Sequence, residues 1–195
     1  MKTKQVSVIF SLLFFTTGIL IAQDFKSQKQ QADFMQSRID SVAIGKAVPD
    51  FTLFTEDGDS LFLSDLKGKT IVIDIWATWC KPCIALSPEF EKAKEEYESE
   101  NMTFISISTD NTKEKWSNYI KEHKVNYQRF WINPGMNEPI RWFTFDEFEF
   151  EERKVWGSSI PRFVIIDENG IVANLSFGKP GTPEFKKAIK RALKN

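Results

Sequence analysis

The sequence predicts an α/β protein with a mixed central β-sheet, because apolar stretches with strand-like and helix-like periodicity alternate along it. The chain has 195 residues, of which 42% are hydrophobic and 27% charged. This composition suits one compact domain, or two at most, and argues against a disordered or integral membrane protein. A formal net charge of −1 gives no support to a nucleic-acid-binding surface. Two cysteines and one histidine exclude a disulfide scaffold, a four-cysteine zinc site and a multi-histidine metal centre.

The first 22 residues have the composition of an export signal. Lys2 and Lys4 form a basic start, residues 6–22 are mostly apolar, and Ala22 places a small residue before a polar stretch. This order predicts a secretory signal peptide that is cleaved after Ala22. An uncleaved membrane anchor is the alternative, because a transmembrane helix needs roughly 20 apolar residues. We therefore expect an exported protein in an oxidising compartment, either periplasmic or tethered to the outer face of the inner membrane.

Local patterns in the first half of the remaining chain predict strands and one long helix. Residues 23–47 are polar and predict a linker or a short helix, and the folded domain is expected at 48–195. A turn-rich stretch at 56–59 separates two apolar stretches, which predicts a β-hairpin. Residues 71–76 are apolar apart from one acid, as in a buried central strand. Apolar positions then step by three and four along 82–97, which indicates a helix, and the strand-like stretch 103–108 follows.

The second half continues the alternation. Asp110-Asn111-Thr112 offers an N-cap for another helix. The stretch 127–132 predicts a strand, which ends before Asn133-Pro134-Gly135. Glu168-Asn169-Gly170 is the expected turn of a hairpin formed by the apolar stretches around it. A last amphipathic helix is predicted from Pro183, directly after a capping threonine.

Cys80 and Cys83 lie at the junction between the central strand and the long helix. Two cysteines three residues apart in a first helical turn can bring their sulfurs within bonding distance. Such a bridge closes a very short loop and stabilises a fold little, so redox turnover explains it better than architecture does. An inert disulfide is one alternative. A metal site is the other, although the pair supplies only two ligands and His123 is expected on the surface of a separate helix.

The two cysteines are predicted to differ in reactivity. Cys80 would lie at the helix N-terminus, where unpaired backbone N–H groups favour a thiolate, and Lys81 adds a positive charge beside it. Pro82 fits the first turn because its missing N–H would be unpaired there. Cys80 is therefore predicted to be the nucleophile with a lowered pKa, and Cys83 the buried resolving thiol.

The stretch Ile73-Asp74-Ile75-Trp76-Ala77-Thr78-Trp79-Cys80-Lys81-Pro82-Cys83 resembles the thioredoxin superfamily, and within it the exported TlpA/ResA-like branch. Residues 48–69 are similar to the N-terminal hairpin of that branch, and residues 159–167 are similar to the strand that follows its cis-proline. The resemblance covers roughly Pro49 to Leu193. It implies a thioredoxin-like fold with an N-terminal β-hairpin extension and an insert, at about 134–156, before the cis-proline strand.

The resemblance also implies roles for individual residues. Cys80 corresponds to the attacking cysteine and Cys83 to the resolving one. Pro161 corresponds to the cis-proline beside the disulfide, where the backbone of Ile160 would pair with a substrate chain. Asp74 corresponds to the buried acid of thioredoxin. As the one charged residue of an apolar stretch, it is expected to have a raised pKa that suits proton exchange with Cys83.

Other positions shape the site or depart from the family pattern. Trp79, Lys81 and Pro82 are expected to shape the substrate side, although a Lys-Pro pair replaces the usual Gly-Pro between the cysteines. Leu86 stands where ResA-like proteins often carry a glutamate. Arg162 stands where thioredoxins usually have threonine, and is expected to bring a second positive charge to the site. The insert is rich in aromatic and acidic residues, which predicts either a partner-selecting flap or extra structure that packs on the core.

The function implied by the resemblance is that of a thiol–disulfide oxidoreductase that exchanges disulfides with exported proteins, acting as a reductase. Its only redox group would be the Cys80–Cys83 disulfide, with no cofactor and no metal. Protein thiols and disulfides would be its substrates, and a membrane or periplasmic redox partner would recycle the site. We expect a monomer that does not bind nucleic acid. The alternatives are a thiol peroxidase, although Ala77 occupies the position of the peroxiredoxin threonine, and a non-redox binding or chaperone module that uses the aromatic insert.

Overall fold

The computed structural model describes residues 30–31, 33–133, 139–150, 153–175 and 177–194. The predicted signal peptide lies outside these residues. Residues 33–41, within the predicted polar linker, are helical. The chain divides into residues 1–38 and residues 39–195, and the domain described below belongs to the second unit. Among the residues described, no helix combines the length and the apolar character needed to cross a membrane.

Outside the insert, the elements follow one another in the order that the sequence predicts, and the insert adds two strands that were not predicted. The strands are β1 (Thr52–Phe54), β2 (Ser60–Phe62), β3 (Thr70–Trp76), β4 (Met102–Ser108), β5 (Gln128–Trp131), β6 (Phe145–Phe150), β7 (Arg153–Ser158), β8 (Arg162–Ile166) and β9 (Val172–Leu175). The helices with defined bounds in the second unit are α1 (Lys81–Tyr97), α2 (Lys113–Glu122) and α3 (Pro183–Ala192). The 3-10 turns Leu63–Leu66 and Pro139–Thr144 follow β2 and precede β6.

Seven strands form one mixed sheet in the order β2-β1-β5-β4-β3-β8-β9. The central strand β3 is parallel to β4 and antiparallel to β8, and β4 is parallel to β5. All seven residues of β3 are buried, which explains its nearly continuous apolar sequence. The predicted α/β class with a mixed sheet is confirmed. Because α1 follows β3, the N-terminus of α1 lies at the end of the sheet where the parallel strands have their carboxyl termini.

The side chains of β3 alternate between two cores. Ile71, Ile73 and Ile75 belong to the core on one face, which also contains Ile140 and Phe143. The opposite core is formed with side chains of α1 and α3, and includes the residues Val72, Phe90, Phe104, Phe163 and Phe185. Residues two apart in a strand point to the same face, so Asp74 lies on the face of Val72, which α1 covers.

The N-termini of α2 and α3 are capped by threonines at positions that the sequence predicts. Thr112 Oγ1 accepts a hydrogen bond from the backbone N–H of Lys115 at 3.4 Å. Thr182 Oγ1 likewise accepts one from Phe185 N–H at 3.4 Å, with Pro183 in the first turn. Each cap satisfies an N–H group that the helix itself leaves unpaired.

The insert forms an antiparallel pair of strands, β6 and β7, that is separate from the main sheet. The 3-10 turn before it buries Ile140 and Phe143 in the core, and Trp142 packs against the same cluster. The prediction that aromatic side chains of the insert pack on the core is confirmed for these positions. We call β6 and β7 the insert hairpin.

Candidate active site

The two cysteines form a disulfide at the N-terminus of α1. Cys80 is the N-cap residue, and its Sγ accepts the backbone N–H of Cys83 at 3.3 Å. Cys80 is 4% exposed and Cys83 is 2% exposed, so both are buried in the oxidised form. The backbone N–H aimed at Cys80 Sγ, together with the positive end of the helix dipole, would stabilise a thiolate on Cys80 after reduction.

The residues predicted to surround Cys80 are brought together there. Trp79 is 64% exposed, and the side chains of Lys81 and Pro82 are also exposed. From the other side, the carbonyl oxygen of Ile160 lies 3.8 Å from Cys80 Sγ. The peptide bond between Ile160 and Pro161 is cis, the geometry that the family resemblance implies. The disulfide therefore lies between an exposed tryptophan and an accessible backbone segment.

Asp110 holds the loop before the disulfide, a role that the sequence analysis missed. Its carboxylate accepts the backbone N–H of Thr78 at 3.0 Å and the Thr78 hydroxyl at 2.7 Å. It also accepts the Ser108 hydroxyl at 2.7 Å, and the residue is fully buried. The sequence indicated only that Asp110-Asn111-Thr112 offers an N-cap for α2, and Thr112 is the residue that provides it. The available signal was its position directly beyond β4, at the sheet end where α1 begins.

Asp74 lies behind the disulfide, on the side of Cys83. It is 4% exposed, and its Oδ1 has no hydrogen-bond partner among the described residues. Burial disfavours the charged carboxylate and raises the pKa of Asp74 to about 8. Asp74 and Cys83 line the same cavity of about 40 Å³, which is large enough for about two water molecules. Asp74 and Cys83 therefore face a common space beneath the disulfide.

The cavity also reaches the helix α2. His123 is exposed, as predicted, but its ring stacks on Tyr119 at 4.0 Å and it lines the cavity that contains Asp74.

Within the described part of the chain, no group of three or more His, Cys, Asp or Glu side chains is arranged to hold a metal ion.

Arg162 does not bring an open positive charge to the site, and that expectation was wrong. Its side chain is 8% exposed, and its guanidinium pairs with the carboxylate of Asp146, on the insert hairpin. The same Nη2 donates to Ser159 Oγ at 3.2 Å and to Thr144 O at 3.4 Å. The physical reason is that a buried guanidinium is stable only when it is paired, so the insert and the loop before Pro161 neutralise its charge.

The family model of the Redoxin family matches residues 43–190. The fold and the disulfide site are those of the thioredoxin-fold thiol–disulfide oxidoreductases. The chain belongs to the Redoxin family and is a TlpA/ResA-like member of the thioredoxin superfamily.

Curated relatives and a solved structure agree with this placement. The thiol-disulfide oxidoreductase ResA of Geobacillus thermodenitrificans is 25% identical over 183 residues, which cover 94% of this chain and 91% of that protein. ResA of Bacillus cereus is 27% identical over 120 residues, and the match spans 62% of this chain and 64% of the Bacillus cereus protein. A crystal structure from Bacteroides vulgatus, assigned to the thiol-disulfide oxidoreductases, is 30% identical with a TM-score of 0.65, and the match covers 78% of this chain and 98% of that one. The predicted thioredoxin-like fold is confirmed.

Proposed function

We propose that this protein is a thiol–disulfide oxidoreductase that reduces disulfides in exported proteins. The observation that carries the proposal is the disulfide between Cys80 and Cys83 at the N-terminus of α1. Its attacking sulfur is bordered by the exposed Trp79 and by the carbonyl of Ile160. A bridge that closes so short a loop, at a helix N-terminus beside an exposed tryptophan, suits turnover rather than structural support.

The reaction consists of two exchange steps. In the first, the Cys80 thiolate attacks one sulfur of the substrate disulfide, forms a mixed disulfide and releases the other substrate sulfur as a thiolate, which takes a proton. In the second, the Cys83 thiolate attacks Cys80 Sγ, forms the Cys80–Cys83 disulfide and releases the second substrate thiolate. Two electrons pass from the protein dithiol to the substrate. A dithiol partner that donates two electrons then restores the reduced site.

Asp74 would accept the proton that Cys83 must lose before the second step. The pKa of Asp74, about 8, lies close to that of an ordinary thiol, so the transfer is nearly balanced in free energy. Leu86 occupies the position at which ResA-like proteins often carry a glutamate, and Asp74 is the one acid among the described residues that line the cavity beside Cys83. The cavity that Asp74 shares with Cys83 supplies the path.

Export and recycling belong to the same proposal. A signal peptide in residues 1–22 would place the protein in the periplasm, or at the outer face of the inner membrane if the signal is retained. Protein disulfides would be its substrates, and a membrane or periplasmic dithiol protein its reductant. The relatives named thiol-disulfide oxidoreductase ResA support the disulfide-exchange part of the proposal.

Single-cysteine variants test the proposal. The reduced protein should reduce a small neutral disulfide such as 2,2′-dipyridyl disulfide with loss of two thiols per molecule. Cys83→Ser should stop at a mixed disulfide, whereas Cys80→Ser should lose nearly all activity. Protein substrates trapped on Cys83→Ser would be identified by mass spectrometry. Turnover of hydroperoxide but not of disulfides would instead support a thiol peroxidase, and partner binding that survives loss of both cysteines would support a binding module.

A further inference from the structure

Hydrogen bonds connect the insert directly to the loop that carries the cis-proline. Thr144 ends the 3-10 turn before the insert hairpin and is 3% exposed. Its carbonyl accepts the backbone N–H of Ser159 at 2.9 Å. Its hydroxyl donates to Arg141 O at 2.7 Å, so the hydroxyl of Ser158, 2.6 Å away, must be the donor to Thr144. These bonds fix the start of the insert beside Ile160 and the disulfide.

The insert thereby forms one wall of a groove next to the active site. The groove has a volume of about 370 Å³, within the range of pockets that bind small ligands. One side is formed by Trp79, Thr109, Asn111 and Ile160, and the other by the insert. Because Trp79 and Ile160 also border Cys80, a chain segment bound at the disulfide would continue into this groove.

The charge of the groove, counted over its described lining residues, is positive. Among the described residues that line it, Arg141 is the only one with a charge. Its Nε is buried and has no hydrogen-bond partner in the described part of the chain. Asp146, the acid that follows on the insert hairpin, is paired with Arg162 instead. The Nη groups of Arg141 are not buried as its Nε is, and they form no hydrogen bond within the described part of the chain, so a ligand in the groove can offer them an acceptor.

We propose that the insert adds a cationic subsite to the substrate groove, in which Arg141 binds the Asp or Glu side chain of a substrate polypeptide near its reacting cysteine. This inference rests on the proposed function, since it names the substrate class of the same site. The substrate segment lies extended along Ile160 with its cysteine at Cys80, and its acidic side chain reaches across the groove. A guanidinium suits this task because it can form two parallel hydrogen bonds with one carboxylate.

A peptide series measures the subsite directly. Each peptide carries one cysteine, activated as its 2-pyridyl disulfide so that the leaving group is neutral, and has Asp, Ala or Lys two residues from the cysteine on either side. Stopped-flow absorbance follows a single turnover of the reduced full-length chain. We expect the Asp peptide to react about two- to fivefold faster than the Lys peptide at low salt, the size of a partly exposed ion pair. The preference should fade at about 0.5 M salt.

Charge variants identify the residue responsible. Arg141→Glu should reverse the preference, and Arg141→Gln should abolish it. Lys190→Glu, on the exposed face of α3, is the matched control because it changes the net charge equally and should leave the preference as it is. Circular dichroism checks that the variants are folded, and Arg141→Gln carries the test if Arg141→Glu is not.

The outcomes separate this inference from the proposed function. If the wild-type chain reduces 2,2′-dipyridyl disulfide no faster than a free thiol, the proposed function fails. If that reaction is fast but the peptides react equally, the subsite alone is refuted. An equal loss of preference in Lys190→Glu and Arg141→Glu would also refute it, because the effect would then come from net charge.

Discussion

Cys80 and Cys83 are the same residue type with nearly the same burial, 4% and 2% exposed, so local electrostatics must separate their reactivity. At Cys80 the sulfur accepts the backbone N–H of Cys83 at 3.3 Å and lies at the positive end of α1. We expect Cys80 of the reduced protein to be alkylated faster, with an apparent pKa below the value of about 8.5 for a free thiol. The rate of iodoacetamide alkylation against pH, in Cys80→Ser and Cys83→Ser, measures this. Equal rates in the two variants would contradict it.

A second prediction concerns how Asp74 changes the stability of the folded protein with pH. Its pKa is about 8 in the folded protein and about 4 in an unfolded chain. Between these pH values the unfolded chain releases a proton that the folded protein keeps, so wild-type stability falls as pH rises and levels off above pH 8. Asp74→Asn lacks this effect, and we expect its advantage to grow from near zero at pH 4 to at most about 5 kcal/mol at pH 8, since each pKa unit corresponds to about 1.4 kcal/mol. Urea unfolding of the oxidised proteins across this range measures it.

Asp110→Asn is the matched control, because Asp110 is also a buried acid but accepts three hydrogen bonds from Thr78 and Ser108. Loss of charge there weakens real contacts, so we expect it to lower the free energy of unfolding by about 1–3 kcal/mol. A loss of stability in Asp74→Asn at pH 8, similar to that in Asp110→Asn, would show that Asp74 is a structural acid.

At the scale of elements, the link between the insert hairpin and the loop before Pro161 depends on the pair of Asp146 and Arg162. The side chain of Arg162 is 8% exposed and that of Asp146 41% exposed, so removal of the carboxylate takes an ionic contact away from the more buried of the two charges. We expect Asp146→Asn to cost about 1–3 kcal/mol. Glu149→Gln, an exposed acid on the same strand, should change stability by less than about 0.5 kcal/mol.

A double-mutant cycle isolates this pair. Arg162→Met combined with Asp146→Asn should cost less than the sum of the two single changes, with a coupling of about 0.5–3 kcal/mol. Thermal or urea unfolding of the four proteins gives the value. Strict additivity would mean that the hairpin is held in place by other contacts.

The elements that the sequence predicts well have a period or a turn of their own. The Glu168-Asn169-Gly170 turn, the helix stripe of 82–97 and the Thr182 cap are local signals, and each of them is found where expected. The insert carried no such signal, because its aromatic and acidic residues fit a helix and a hairpin equally. Tertiary contacts, including the burial of Phe143, decide its structure.

The residues of the site also fall into two groups, those that a local sequence signal predicts and those that it does not. Cys80, Cys83 and Pro161 lie in recognisable motifs, and Asp74 stands out as an acid in an apolar strand, so the sequence places all four around one site. The residues whose roles the sequence did not predict depend on partners that are distant in the sequence. Asp110 acts on a loop 32 residues away in sequence. The charge of Arg162 is cancelled by an acid 16 residues earlier, on the insert hairpin.

For the whole molecule, the sheet order explains why one end carries the chemistry. Parallel pairing of β3, β4 and β5 places their carboxyl ends together, where the α1 N-terminus, Asp110 and Trp131 meet. Trp131 Nε1 donates to the backbone carbonyl of Asp110 at 2.8 Å, which ties β5 to the same loop. The loop before β8 reaches this end from the opposite side of β3, because β8 is antiparallel to it. The face around the disulfide is therefore assembled from segments far apart in sequence, which the sheet brings together.

The direction of electron flow is also a property of the whole molecule, because it depends on which redox form folds more stably. The disulfide joins residues three apart in sequence, and closure of so short a loop stabilises the oxidised fold by about 2 kcal/mol at most. The α1 N-terminus opposes this by stabilising the Cys80 thiolate in the reduced form, by about 0.3–1 kcal/mol. We therefore expect the oxidised protein to be the more stable by about 1–2 kcal/mol, as a reductase requires, since each 1.4 kcal/mol lowers the potential by about 30 mV. Urea unfolding with and without dithiothreitol measures the difference, with the double variant Cys80→Ser/Cys83→Ser as a control that should not respond to dithiothreitol. A reduced form more stable than the oxidised one would reverse the direction, and the protein would then donate disulfides instead of reducing them.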